Sequence, residues 1–258
     1  VTPTVGVLAL QGAFAAHSAI LGRLGVDCAE VRSVAELQQV DALVMPGGES
    51  TTMSMLLERN AMSEPLSRRI ADAMPVLGTC AGLILLAAEL LDGRPDQRPL
   101  GAIDITARRN AYGRQIDSFE TELQVSGLDT PFHGVFIRAP VVERCGPEVE
   151  VLARHRGEPV LCCEGNVTVA SFHPELADDD RIHSLWLRRS GLVPEADPDG
   201  SPVASSAAHN GAVNATTARS DDTNAASVRS GDNGGDANAA SVRSGGLGAR
   251  SGGLGAAT

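Results

Sequence analysis

Apolar and polar positions alternate in blocks through the first half of the chain. Val5 to Leu10 reads as a buried strand and Ala13 to Leu24 as a helix. A short strand, Ala29 to Val31, a weak helical turn, Val34 to Val40, and a strand, Ala42 to Met45, come next. Helical spacing returns over Thr52 to Asn60 and Glu64 to Ala73, before an apolar strand, Pro75 to Leu77, and an apolar helix, Leu83 to Leu91. Strand and helix in alternation predict a parallel sheet with helices on both faces. The rhythm then changes. Gly101 to Thr106, Asp117 to Val125, Gly134 to Ile137, Val149 to Ala153, Pro159 to Cys163 and Val167 to Phe172 read as strands separated by turns. They predict an antiparallel extension of the sheet, and a helix, Arg181 to Arg189, closes the domain.

A parallel sheet binds ligands at the carboxyl ends of its strands. Gln11-Gly12, Gly47-Gly48-Glu49-Ser50 and Cys80 each follow a predicted strand, so all three fall on one rim. Gly78-Thr79-Cys80-Ala81-Gly82 joins strand to helix in the layout of a nucleophile elbow. The turn is so tight that side chains at its ends collide with strand and helix, hence the two glycines. The helix N-terminus favours negative charge and so the reactive thiolate. Small residues at such a junction also serve packing alone, and Cys is a common buried hydrophobe.

His173-Pro174-Glu175 follows the last predicted strand. Pro174 disfavours helical geometry at His173, and residues two apart in extended chain project to one side. His173 and Glu175 thus both face the rim that carries Cys80. A carboxylate beside an imidazole fixes its tautomer and stabilises the imidazolium, which supplies a base and its orienter to a nucleophile. Pro46-Gly47-Gly48-Glu49-Ser50 offers bare glycine amides to a developing oxyanion, a device that contributes on the order of 3 kcal/mol per donor. A plain glycine turn with Ser50 capping the next helix is the bland alternative.

Composition divides the 258 residues in two. After about Pro194 large apolar residues nearly vanish, and short repeats appear: Ala225 to Gly231 recurs as Ala239 to Gly245, and Arg243 to Ala249 as Arg250 to Ala256. Such a stretch buries too little apolar surface to offset its ordering entropy, so 194–258 is expected to be a disordered, acidic, low-complexity tail behind a single domain, 1–193. The net charge is −11; seven acids against four arginines lie in the tail, leaving −8 on the domain. No basic patch suits nucleic acid. All 21 cationic side chains are Arg. An acidic, lysine-free chain suggests adaptation to high salt, although a GC-rich genome alone accounts for the Arg bias. No apolar run is long enough to span a membrane and no signal peptide is visible. Five cysteines, at positions 28, 80, 145, 162 and 163 and without a Cys-x-x-Cys pair, fit a reducing cytoplasm better than disulfides or zinc. His17, His133, His155 and His183 are scattered and read as structural or surface residues.

The Cys80 elbow, the PGGES loop and the His-Pro-Glu segment together resemble the class I, or triad, glutamine amidotransferases. The stretches LALQGAFAAH (Leu8 to His17), PGGESTTM (Pro46 to Met53), GTCAGLILLA (Gly78 to Ala87), RRNAYGRQIDSFE (Arg108 to Glu120), FIRAP (Phe136 to Pro140) and SFHPEL (Ser171 to Leu176) resemble more closely the glutaminase subunits of pyridoxal 5′-phosphate synthases. Leu83 stands where many amidotransferases carry a Gln, which argues against the purine, histidine and guanine pathway subunits. The resemblance implies a three-layer, flavodoxin-like fold with an open, mostly parallel sheet. It implies glutamine hydrolysis by Cys80, His173 and Glu175, with the oxyanion held by the amides of Gly48 and Ala81. Gly48, Glu49, Ser50, Arg109, Ile137 and Arg138 would surround the glutamine, Arg109 and Arg138 being candidates for its α-carboxylate. No cofactor or metal is implied. The implied partner is a (β/α)8-barrel synthase subunit in a large hetero-oligomer, docking in part through Gln11 and the first helix. A cysteine peptidase, another pathway's glutaminase subunit and a non-catalytic regulatory module on the same fold remain as alternatives.

Overall fold

The computed structural model describes residues 2–94, 97–109 and 118–193. The segment 194–258, and residues 110–117 of the Arg108 to Glu120 motif, lie outside the described residues. The first half folds as β1 (Thr4–Leu8), α1 (Phe14–Arg23), β2 (Asp27–Val31), α2 (Val34–Leu37), β3 (Ala42–Met45), α3 (Ser50–Arg59), α4 (Ser63–Ala71), β4 (Val76–Thr79) and α5 (Ala81–Leu86). The second half adds β5 (Ala87–Leu90), β6 (Ile103–Arg108), β7 (Phe119–Leu123), β8 (Phe132–Phe136), β9 (Val141–Cys145), β10 (Glu150–His155), β11 (Glu158–Glu164), β12 (Val167–Ala170) and α6 (Arg181–Arg189).

Seven strands form the main sheet in the order β10-β11-β12-β4-β3-β1-β2. The run from β12 to β2 is parallel, and β11 and β10 add antiparallel to β12. Every residue of β3, β4 and β12 is buried, as expected of strands covered on both faces. Period-2 alternation sorts their side chains into two cores. Leu43 and Met45 of β3 join Met53 and Leu57 of α3 and Leu83 and Leu86 of α5 on one face. Ala42 and Val44 join Leu21 of α1 and Trp186 and Leu187 of α6 on the other. A third core gathers Phe132, Phe136 and Phe172 under the β7–β8 hairpin. Helices on both faces of a mostly parallel sheet make the three layers expected from the sequence. No helix among the described residues is long and apolar enough to cross a membrane.

Three expectations need correction. The apolar helix ends at Leu86, and the run to Leu90 continues as β5, paired in parallel with β6. A largely apolar run does not distinguish a buried helix from a strand, and here pairing with β6 decides. Strand β9 had no counterpart among the predicted segments. The antiparallel strands also do not extend one sheet. Only β10 and β11 do; β5-β6-β9 form a separate three-stranded sheet, β7-β8 a two-stranded one, and β12 lies parallel to β4.

Candidate active site

Strand β4 ends at Thr79 and α5 starts at Ala81, leaving Cys80 as the single joining residue. It takes φ 48° and ψ −97°, a conformation that costs a non-glycine residue about 1–3 kcal/mol and persists only where its surroundings enforce it. The surroundings are visible. A Cβ on Gly82 would lie 2.2 Å from the Met45 carbonyl oxygen, and one on Gly78 would lie 2.5 Å from Leu86 Cδ1. Neither site admits a side chain, so helix and strand pack at backbone distance and the turn stands proud of the sheet. The Cys80 amide donates to the Ala170 carbonyl at 2.8 Å, which ties the elbow to the end of β12.

That tie explains the meeting of distant motifs. β12 and β4 are hydrogen-bonded neighbours, with Ala170 opposite Thr79. The chain leaving β12 therefore emerges beside the elbow and brings His173 with it. His173 is held on its other side by its own amide, which donates to the Val135 carbonyl of β8 at 2.8 Å. Its φ of −107° and ψ of 85° keep it non-helical, as Pro174 requires. Glu175, however, does not continue an extended chain. Pro174–Leu176 form a 3₁₀ turn, because proline is pre-set for a first helical position. The turn still delivers the carboxylate, with His173 Nδ1 and Glu175 Oε1 2.7 Å apart.

Both groups are largely shielded from water, His173 at 8% and Glu175 at 7% exposure. Burial by itself lowers the His173 pKa. Hydrogen bonds to Cys80 and Glu175, together with their negative charges, outweigh it and push the pKa up to about 10. Imidazole and carboxylate are thus paired beside Cys80 on one cavity wall, and a thiol next to an imidazole oriented by a carboxylate has the parts of a nucleophile with its base. The Cys80 Sγ also lies 3.9 Å from the Ile137 carbonyl oxygen.

The loop between β3 and α3 forms the opposite wall. Gly47 packs directly on the imidazole: a Cβ there would sit 2.4 Å from His173 Cε1 and 3.4 Å from Cys80 Cβ. Its carbonyl accepts the Ala13 amide at 3.1 Å, and the Glu49 amide donates to Gln11 Oε1 at 2.8 Å. Glu49, rather than Ser50, caps α3. Its carboxylate accepts the amides of Thr51 at 3.1 Å and Thr52 at 2.6 Å. Partial burial raises its pKa, but these bonds and that from the Thr52 hydroxyl prevail and bring it to about 2. Arg109 spans the same loop, donating to Thr51 Oγ1 and Gln97 Oε1, both at 3.1 Å, and to Glu49 Oε1 at 3.3 Å.

These walls enclose a cavity of about 230 Å³. Cys80, His173, Gly48, Glu49, Ser50, Arg109, Ile137 and Arg138 line it, joined by Gln11 and Ile84. Glu175 sits behind His173, and Ala81 is buried as the first residue of α5.

Sequence reasoning missed two residues beside this site. His17 and His183 are fully buried, with His17 Nδ1 2.8 Å from His183 Nε2 and His17 Nε2 3.4 Å from Glu175 Oε2. Each occupies the buried stripe of its helix, His17 with Ile20 and Leu21, His183 with Ile182 and Leu187. A histidine in an apolar stripe was the available signal. By contrast, His133 lies between Glu120 and Glu122 at the surface, and His155 packs against Phe119 and Phe136.

Comparison with known proteins gives a consistent picture. The SNO glutamine amidotransferase family matches residues 7–191. The chain is 54% identical over 188 residues to the pyridoxal 5′-phosphate synthase subunit PdxT of Mycolicibacterium vanbaalenii, the match covering 72% of this chain and 96% of that one. It is 55% identical over 185 residues to the subunit of the same name from Corynebacterium jeikeium, covering 71% and 95%. A crystal structure of a glutamine amidotransferase superposes with a TM-score of 0.69 at 48% identity, over 72% of this chain and 98% of that one. PurLQS from Thermotoga maritima shares the fold at 17% identity, with a TM-score of 0.52 over 74% of this chain and 98% of that one. The chain belongs to the SNO glutamine amidotransferase family.

Proposed function

We propose that the chain hydrolyses L-glutamine to L-glutamate and ammonia in the Cys80 cavity, and supplies the ammonia to a synthase subunit that makes pyridoxal 5′-phosphate. The observation that carries this is Cys80 and His173 together at the wall of a small cavity, with His173 held by Glu175 at 2.7 Å. The names of the close relatives support the pathway.

The Cys80 thiolate attacks the carboxamide carbon of glutamine. The amides of Gly48 and Ala81 stabilise the tetrahedral oxyanion. The His173 imidazolium gives its proton to the departing ammonia, leaving a glutamyl thioester. Neutral His173, held by Glu175, then takes a proton from water, whose oxygen attacks the thioester and releases glutamate. Water is consumed, one ammonia leaves and the thiolate is restored. Arg138 and Arg109 are the cations available to the substrate α-carboxylate, and an arginine fork suits both its oxygens. Arg109 reaches it while anchored to Thr51 and Gln97. The ammonia passes to a (β/α)8-barrel synthase subunit within a hetero-oligomer, docked in part on Gln11 and α1.

Glutamate release, measured with and without the cognate synthase subunit, tests the reading. In its presence Cys80→Ala is expected to lose roughly 10³-fold or more in kcat. An unchanged rate, or cleavage of peptides in place of free glutamine, defeats the proposal.

A further inference from the structure

We infer that His17 is a positioning residue for the reaction: it donates its Nε2–H to Oε2 of Glu175, and His183, donating Nε2–H to His17 Nδ1, fixes the tautomer that makes this possible. The inference rests on the proposed Cys80–His173–Glu175 mechanism and carries that chain two residues further into the protein.

Glu175 has two oxygens to satisfy in a place almost without water. Oε1 faces His173 Nδ1 at 2.7 Å. Oε2 is enclosed and has no hydrogen-bond partner among the described residues, and His17 Nε2 lies 3.4 Å from it. The same nitrogen lies 3.3 Å from Thr79 Oγ1, the last residue before the elbow. Behind it, His17 Nδ1 meets His183 Nε2 at 2.8 Å, the rings tilted at 54° with centroids 5.1 Å apart. Both histidines have zero exposure, and His183 Nδ1 has no hydrogen-bond partner among the described residues.

One proton sits between the two rings, and its side decides the rest. If His17 carried it on Nδ1, His183 would accept at Nε2 and carry its own proton on Nδ1. That N–H would be stranded in the core, and His17 Nε2 could accept from the Thr79 hydroxyl but would leave Glu175 Oε2 without a donor. A stranded donor and a bare carboxylate oxygen each cost about 1–3 kcal/mol or more. With the proton on His183 Nε2, His17 offers N–H to Glu175 and only a lone pair at His183 Nδ1 goes unmatched. A doubly protonated His17 is disfavoured by burial first, then by the neighbouring His183 and the His173 imidazolium, which hold its pKa well below the ordinary value. His183 is likewise kept neutral, by burial and by Arg23, at about 3. The charged and titratable groups around the relay are therefore His173 and Glu175 from the turn after β12, Cys80 at the elbow, and Arg23 on α1. Two neutral rings orient the carboxylate without cancelling the charge that sustains the imidazolium.

Loss of the donor leaves Oε2 unmatched, so Glu175 holds its charge less firmly and the Cys80–His173 ion pair weakens. In the full chain bound to its synthase subunit, His17→Leu is expected to move the acid limb of the kcat profile upward by roughly one pH unit. Iodoacetamide labelling of the Cys80 peptide, read by mass spectrometry against pH, is expected to shift with it, and KM to change little. His17→Gln places an amide N–H near the former Nε2 and is expected to keep the wild-type profile. A His17→Leu profile that matches wild type overturns the inference, as does a His17→Gln profile shifted as far as that of His17→Leu. Cys80→Ala separates the two levels of argument: if it is inactive while His17→Leu matches wild type, the relay falls and the triad stands. If Cys80→Ala is active, the triad falls first. Should His17→Leu not fold, nitrogen shifts of the wild-type histidines decide. A proton on Nε2 of His17 supports the relay, and one on Nδ1, or on both, overturns it.

Discussion

At the level of single residues, the site depends on a few side chains and on the absence of others. Gly47 has no room for a methyl group against the imidazole, so Gly47→Ala is expected to displace His173 and lower kcat by roughly 10²-fold or more, the usual worth of a misplaced general acid and base. Steady-state glutamate release beside an unaltered far-UV spectrum checks this. The raised pKa of His173 also has a direction. Its folded value of about 10 lies above its ordinary 6.5, so the ion pair's contribution to stability is complete below about pH 6.5 and gone once pH rises through about 10. Thermal midpoints are expected to fall across that interval more in wild type than in His173→Gln. Cys80, His173 and Glu175 could be read from sequence because each sits in a local motif whose geometry is set by its neighbours, glycines in one case and proline in the other. His17 and His183 offered only the signal of a histidine in a buried stripe, since their meeting across two helices is marked by no motif.

Elements carry these residues to their places, and the joints between elements are where substitution tells. Glu49 ends the loop as the cap of α3 while accepting Arg109 across the cavity mouth. Glu49→Ala is expected to cost about 1 kcal/mol through loss of the cap, and to raise the KM for glutamine because Arg109 loses an anchor. Chemical denaturation and initial-rate kinetics measure the two separately. Gly82→Ala drives a methyl into the Met45 carbonyl and is expected to destabilise by about 1–3 kcal/mol, since α5 must move off β3. Apolar periodicity located α1, α3, α4 and α6 to within two residues, because each has one buried stripe. It failed between Leu86 and Leu90, where Glu89 alone breaks an apolar or small run and pairing with β6 makes a strand. It also could not say which antiparallel strands join the main sheet, a matter of partners distant in sequence.

Over the whole molecule, the three cores draw on residues up to Val193. A chain ending at Val193 is therefore expected to keep the thermal midpoint and the glutaminase rate of the full-length protein, which calorimetry and glutamate release would reveal. The order of strands in the main sheet sets a further condition. β12 is inserted between β11 and β4, and the chain leaving it brings His173 to Cys80. On the ribosome, the elbow is synthesised long before that strand appears, and until then β4 keeps an open edge. A nascent chain thus holds Cys80 with no imidazole beside it, and the two meet only when the gap in the sheet is closed.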